Sequence, residues 1–595
     1  MIAKAYRKTA DILLQPLDPD MLKRVDWVGY TSAAVLALFI LTLVTVFFFP
    51  IYPDEIAVRY ALSRFPYDLP YQISGAPGCS STFCHVMPVT SYMPAVINWL
   101  VHGMAGTVTL LRLVGIVVAL LWVAALVIYL NHRAEQVLPL LCGRREKFRQ
   151  RLYITAFCIA LFSAGVFPVF LVSNRSEQLM LPSLAVLAGL FILSRRLDNG
   201  GRAWQKIGLM VLYFVAVSLV LFGHPKGLFF TPFFIIAGWQ IFGNSCGLAA
   251  FIAAMALLGL HLAQNYLVWI SNLQCPEVPK LEALFKSFSF DPLSLFYDPG
   301  NFFKKAYDSI LLSVKYFDKI GFSQSMDIRY LPGDPSSVFA GIFADIVNFF
   351  IKLNAGFIFF FLLACLPLRY FSRDIVKKRI LTVNSALLAL LACALISALF
   401  NLTKTWYDAG FYYALWLIIL ILFIGEDYPG VFQKNAAKKV FLYAGAAALM
   451  SQAVFIHRNL PEFLGGFRGA GVSIALHDTK KLNADILAAS RACRINIIDS
   501  ERLVLDDYTF LHFRKTRYPM AITYLWLEND NKSVLKFLAE SGSDGVMVSS
   551  FSSKIYFAPI PELESKVKCA GAVCCVSRDD LRTLAVAPFN KTASQ

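Results

Sequence analysis

Residues 28–49 read VGYTSAAVLALFILTLVTVFFF, and the chain then continues through Tyr52-Pro53-Asp54-Glu55. No charge interrupts the first stretch, and at 1.5 Å rise per residue its helix is about 33 Å long, enough to cross a bilayer's hydrocarbon. The carboxylates of Asp54 and Glu55 therefore follow directly after a membrane crossing, at the lipid–water boundary. Paired carboxylates there point to acid/base chemistry on the far side, although an interfacial pair has an ordinary reading as solvated charge.

Composition carries the membrane reading along the chain. Of its residues 57% are hydrophobic and 16% charged, with a mean hydropathy of +0.59, a balance that a soluble globule does not accommodate. Apolar spans of helical length fall near residues 26–50, 108–130, 153–172, 178–194, 206–223, 228–242, 246–262, 346–369, 380–400, 411–426 and 439–457. The expected fold is a polytopic α-helical membrane protein of about 11 transmembrane helices. Residues 1–457 form its membrane domain and residues 458–595 a soluble α/β domain.

The net charge of +16 belongs to the loops rather than to a nucleic-acid surface. With the N-terminus inside, the inner segments carry Lys4, Arg7, Lys8, Lys23 and Arg24, then Arg133, Arg144, Arg145, Lys147, Arg149 and Arg151, then Arg195, Arg196, Arg202 and Lys206. Arg369, Arg373, Lys377, Lys378 and Arg379, and finally Lys434, Lys438 and Lys439, continue the pattern, as the positive-inside rule requires. This threading puts outside a loop at 51–107, turns near 173–177 and 224–227, a long insert at 263–345, residues 401–410 and the tail. The start of the chain lacks the apolar core and small-residue site of a cleaved signal peptide, so the first span serves as its own insertion signal. The expected location is a bacterial inner membrane, with the outer loops and the tail in the periplasm.

Cysteines fit an oxidising outer compartment. Cys79 and Cys84 share the first outer loop and are the readiest pair, while the connectivity of Cys493, Cys569, Cys574 and Cys575 in the tail stays open. A zinc site fits less well, because the tail lacks two spaced Cys-x-x-Cys pairs. Within the tail, helix-like stretches at 481–491 and 533–541 and a strand at 545–548, entered through Asp544-Gly545, favour a layered sheet over a jelly roll. In the long insert, residues 281–288 and 302–317 are amphipathic, the latter with Lys304, Lys305, Asp308 and Lys315 among apolar positions. Such helices lie along a membrane surface, as a structural cuff or as a platform for a lipid-linked substrate.

Three outer turns carry more chemistry than their length requires. Asn174-Arg175-Ser176-Glu177 places an arginine that costs about 2.5–3.5 kcal/mol near hydrocarbon, so Arg175 needs Glu177 or a ligand anion. His224-Pro225-Lys226-Gly227 offers donors on a chain stiffened by Pro225 and released by Gly227. Lys404-Thr405-Trp406-Tyr407-Asp408 adds a cation and aromatic faces for a sugar, and Tyr52 adds another ring beside the carboxylates. The bland alternatives are an ion pair, contacts to lipid headgroups and an interfacial aromatic belt. Taken together, these residues suit glycosyl transfer from a lipid phosphate. Arg175, His224, Lys226 and Lys404 lie at the phosphate, a carboxylate deprotonates the acceptor hydroxyl, and Tyr52, Trp406 and Tyr407 contact sugar or acceptor. No metal or cofactor is required, because fixed cations can hold one phosphate.

On these residues the membrane half resembles the GT-C glycosyltransferases, which use polyprenyl-phosphate sugars and place a catalytic Asp in the first outer loop, where Asp54 stands. Asn174-Arg175-Ser176-Glu177 is similar to the Arg-Pro-Glu turn of the Emb-type arabinofuranosyltransferases, and His224-Pro225-Lys226-Gly227 to their His-Pro-Thr-Gly turn. Ser176 replaces the family's Pro and Lys226 its Thr. The resemblance implies an inverting transfer of arabinofuranose from polyprenyl phosphate to a glycan or a protein such as pilin. Asp54 would act as general base, supported by Glu55 and Glu177. An oligosaccharide ligase and a flippase for lipid-linked sugars are the rival classes, the latter disfavoured by the absence of internal repeats.

Overall fold

A computed structural model describes residues 26–47, 104–137, 144–172, 175–197, 203–243, most of 251–262, 291–321 except 292, 338–377, 380–465 except 403, and 479–496. In the tail it describes scattered residues between 500 and 541 and then 542–586. Eight of the described helices are long and apolar enough to cross a membrane, and the protein is a multi-pass membrane protein with a small C-terminal mixed sheet.

The membrane helices are α1 (Trp27–Phe47), α2 (Met104–Glu135), α3 (Arg144–Phe162), α4 (Phe167–Val172), α5 (Ser176–Leu197), α6 (Ala203–Gly223) and α7 (Thr231–Phe242), the last preceded by a 3-10 turn, Pro225–Phe230. After the insert helices α8 (Pro299–Ser313) and α9 (Lys315–Ile320) come α10 (Val338–Arg369), α11 (Val383–Phe400), α12 (Trp406–Asp427) and α13 (Asn435–Gly465). Eight of the eleven expected spans appear as such helices. Residues 153–172 instead break between α3 and α4. There Gly165 takes φ +57°, and a Cβ on it would meet the Ile320 carbonyl oxygen at 1.9 Å. Val166 N–H donates to that oxygen at 3.0 Å and Gly165 N–H to Ser451 Oγ at 2.9 Å, so the α9 end and α13 both hold the break. Residues 228–242 start within the 3-10 turn, and part of 246–262 lies outside the described residues.

The axis of the bundle is α12. Almost every residue from Trp406 to Gly425 is buried, and the helix packs against α2, α5, α9, α10 and α11. A helix apolar all round belongs in such a position. Its C-terminal end closes on basic groups. Glu426 accepts from Tyr129 Oη at 2.7 Å and pairs with Arg133 at 3.4 Å, while Asp427 pairs with Arg373 at 2.7 Å and Arg369 at 3.4 Å. The expected inner-side arginines thus gather at one end of α12.

In the insert, the expected amphipathic helix is α8 with three faces. Phe302, Ala306 and Ser309 turn to the protein, where Ala306 packs with Phe400, Phe229 and Leu399. Phe303, Tyr307, Ile310 and Val314 form an exposed apolar stripe, and Lys304 and Asp308 occupy the exposed remainder. The other amphipathic stretch, 281–288, lies outside the described residues.

In the tail, α14 (Thr479–Cys493) precedes a five-stranded sheet of β1 (Leu503–Leu505), β2 (Met520–Ala521), β3 (Gly545–Ser549), β4 (Lys568–Ala570) and β5 (Val573–Ser577), ordered β2-β1-β3-β5-β4. The first three strands are parallel, and β3, β5 and β4 are antiparallel. This is the expected layered α/β arrangement. Strand alternation explains the adjacent cysteines, since neighbours on β5 face opposite sides. Cys575 bridges to Cys493 of α14 and Cys574 to Cys569 of β4.

Candidate functional site

Four helix ends meet at the N-terminal end of α12: the start of α5, the end of α6, the end of α11 and the start of α12 itself. Glu177 lies in the first turn of α5, where a carboxylate complements the helix dipole, and it is 1% exposed. Arg175, just before that helix, pairs with Glu177 Oε2 at 3.4 Å and stacks its guanidinium 3.5 Å from the Tyr407 ring centroid. The expected Arg175–Glu177 pair is present.

The chain leaving α6 turns at His224. There Gly227 is required, because a Cβ would meet the Val220 carbonyl oxygen at 2.5 Å. The tight turn directs two side chains at Glu177. His224 Nδ1 accepts from Lys226 N–H at 3.1 Å, so in the neutral ring the proton sits on Nε2, which lies 3.6 Å from Glu177 Oε1. Burial, followed by the neighbouring Lys226, holds His224 down to about 4, so near neutral pH it acts as an uncharged donor.

Lys226 Nζ lies between two carboxylates, donating to Glu177 Oε1 at 3.2 Å and to Asp408 Oδ1. Burial opposes its charge, but Asp408 and Glu177 outweigh it and hold Lys226 above its ordinary range. Among the described residues these two carboxylates engage two of its three N–H groups, which leaves one for a ligand oxygen.

Asp408 is 2% exposed, and its second oxygen accepts from Asn401 Nδ2 at 2.7 Å and Thr405 Oγ1 at 2.6 Å. Thr405 is also the N-cap of α12, accepting from Asp408 N–H. From the sequence, this turn offers Lys404, Trp406 and Tyr407 but assigns Asp408 no part. Its signal was the carboxylate three residues after a capping Thr, which reads equally as an ordinary helix start.

Lys404 takes a different place from the other cations. Its ammonium donates to Ser309 Oγ at 3.0 Å, to Ala398 O at 2.8 Å and to Asn401 O, and it lies 4.9 Å from the Tyr316 ring centroid. All three donors are thereby engaged in tying the 401–405 turn to α8 and to the end of α11, and burial, with Asp408 opposing and Lys226 adding, lowers it to about 8. Trp406 is buried and meets Tyr407 edge to face at 5.8 Å, so Arg175 rather than open solvent covers a face of Tyr407.

The structure therefore brings Arg175, Glu177, His224, Lys226 and Tyr407 together, with Asp408 added. Tyr52, Asp54, Glu55, Asn174, Cys79 and Cys84 lie outside the described residues. The chain that leads to Asp54 departs from the end of α1, where buried Arg112 donates to Phe47 O at 2.7 Å. One turn along α2, Gly115 O accepts from Gln178, the neighbour of Glu177, at 3.3 Å. Among the four charged groups Arg175, Lys226, Glu177 and Asp408, charges cancel, so an entering anion meets donors without net repulsion. No group of three or more metal-ligating side chains occurs among the described residues.

No protein-family model and no curated protein matches this chain. Among solved structures, ArnT from Cupriavidus metallidurans bound to undecaprenyl phosphate aligns over 94% of this chain and 99% of its own, at 12% identity and a TM-score of 0.42.

Proposed function

We propose that the protein is a membrane glycosyltransferase. It moves a sugar, D-arabinofuranose, from a polyprenyl-phosphate donor to an extracytoplasmic glycan or protein acceptor such as pilin, with inversion. The observation that carries this reading is the convergence of Arg175 from one turn, and of Lys226 and neutral His224 from another, on Glu177, with one Lys226 N–H left over among the described residues. On this reading the site lies on the periplasmic side of a bacterial inner membrane, and the turns that resemble those of the Emb-type enzymes are its donor-binding parts.

The chemistry follows from charge. A polyprenyl-phosphate sugar is a monoanionic diester, and the departing polyprenyl phosphate gains a second negative charge as the C1–O bond breaks. Lys226 and Arg175 favour that gain, so their interaction strengthens towards the transition state. Nε2–H of His224 adds a neutral donor.

Asp54 is the proposed general base, with Glu55 in support. It removes the acceptor hydroxyl proton while the oxygen attacks C1 from the face opposite the phosphate, and configuration inverts. Six residues, 48–53, separate Phe47 from Asp54, and these seven steps reach at most about 25 Å from the end of α1 when extended. Binding and release need only these side chains.

The test uses purified protein in nanodiscs with polyprenyl-phosphoryl arabinofuranose and an acceptor, following release of polyprenyl phosphate. Asp54→Asn should leave donor binding intact and abolish transfer. Full turnover by that variant overturns the assignment. Transfer only from a lipid-diphosphate oligosaccharide would identify a ligase, and movement of intact donor across the bilayer without release would identify a flippase.

A further inference from the structure

We infer that Asp408 is the positioning residue of the donor site, the counter-charge that fixes the Lys226 ammonium and aims its remaining N–H. This rests on the proposed reading, in which Lys226 contacts the donor phosphate.

Lys226 reaches the site on a 3-10 turn with a long, flexible side chain, so its own backbone does not fix the ammonium. Two carboxylates do, and they differ in how they are held. Glu177 Oε1 is shared between Lys226 and His224, and Oε2 faces Arg175. Asp408 gives Oδ1 to Lys226, while Oδ2 is held by Asn401 and Thr405. The Asp408 carboxylate thus has its orientation set independently of Lys226, on the most buried helix of the bundle. That makes it the rigid half of the pair, and Lys226 the half that is placed.

The charge argument runs the same way. Lys226 is surrounded by Glu177 and Asp408, by Arg175, His224 and Lys404, and by the phenols of Tyr407 and Tyr412. Burial and the neighbouring cations disfavour its proton, and Asp408 is the foremost group that opposes them. Neutralising Asp408 removes the foremost of the two carboxylates that oppose burial at Lys226. The ammonium then loses its proton more readily and loses its fixed direction.

The test measures binding of a short-chain polyprenyl monophosphate to the full-length protein in phosphatidylcholine nanodiscs between pH 7 and 10.5. Asp408→Asn should weaken binding by about tenfold or more and move the alkaline loss of binding down by about 1–3 pH units, with partial recovery in Asp408→Glu. The double variant Lys226→Thr/Asp408→Asn should bind no more weakly than Lys226→Thr alone, because nothing remains to be positioned. Wild-type affinity and an unchanged pH limb in Asp408→Asn overturn the inference, as do losses that add in the double variant. If Asp408→Asn does not fold, Asn401→Ala, which loosens Asp408 without changing charge, should show a smaller shift in the same direction, and its absence is equally adverse. Failure of wild-type protein to bind the phosphate overturns the functional reading itself, and this inference with it.

Discussion

At the scale of single residues, charge at the site is set by enclosure as much as by residue type. His224 and Lys226 sit two positions apart, yet burial leaves one neutral and the other a cation because only Lys226 has a buried carboxylate on each side. The His224 environment has a consequence for acid stability. Its folded pKa, lowered to about 4, lies below the unfolded value of about 6.5, so the unfolded chain binds the proton first. Stability contributed by neutral His224 is complete above about pH 6.5 and is lost as pH falls towards 4, by at most about 3 kcal/mol. Thermal unfolding across that range should show a shallower slope for His224→Gln than for wild type, and identical slopes would count against this environment.

At the scale of elements, α12 and α8 show how helices place the site. The N-terminus of α12 carries Asp408, which its dipole favours, whereas its C-terminus carries Glu426 and Asp427, which the dipole disfavours. Arg133, Arg369 and Arg373 offset that second pair, so the central helix is held by ion pairs at both ends. Helix α8 lies against the loop between α11 and α12, with Ser309 Oγ donating to Leu399 O and accepting from Lys404. Its apolar stripe, next to the end of a membrane-spanning helix, suits lipid acyl chains, and its lysines suit anionic headgroups. A photoreactive benzoylphenylalanine at position 303, 307 or 314 should capture lipid in nanodiscs markedly more than at 304 or 308. Equal capture at both sets, or capture of a second protein chain, would contradict a lipid-facing stripe.

For the molecule as a whole, the two bridges of the tail do unequal work. Cys493 and Cys575 are 82 residues apart and Cys569 and Cys574 only 5, so loop-closure entropy gives about 4–5 kcal/mol for the first and about 2 kcal/mol for the second. In limited proteolysis of the full-length protein under increasing denaturant, Cys493→Ala/Cys575→Ala should expose the tail at a clearly lower concentration than Cys569→Ala/Cys574→Ala. Equal midpoints would argue against the long bridge as the tail's main staple.

What the chain discloses unaided follows from properties that are local or additive. Hydrocarbon thickness makes long apolar runs into crossings, so residues 28–49 and seven others were legible as spans. Basic residues sort to one side, so the arginines at the α12 C-terminus were legible as a group. Turns with Pro and Gly flanking charge were legible as candidates, which is how Arg175, Glu177, His224 and Lys226 came to notice. The break at Gly165 was not legible, because it depends on the Ile320 carbonyl, which only packing brings near. Nor was the division of labour among the cations. Lys404 and Lys226 look alike in sequence, but Lys404 spends its donors on Ser309, Ala398 and Asn401 while Lys226 keeps one N–H for a ligand. Asp408 remained hidden for the same reason: its partner lies 182 positions away, and Coulomb attraction in a buried site depends on distance through space, which the fold alone sets.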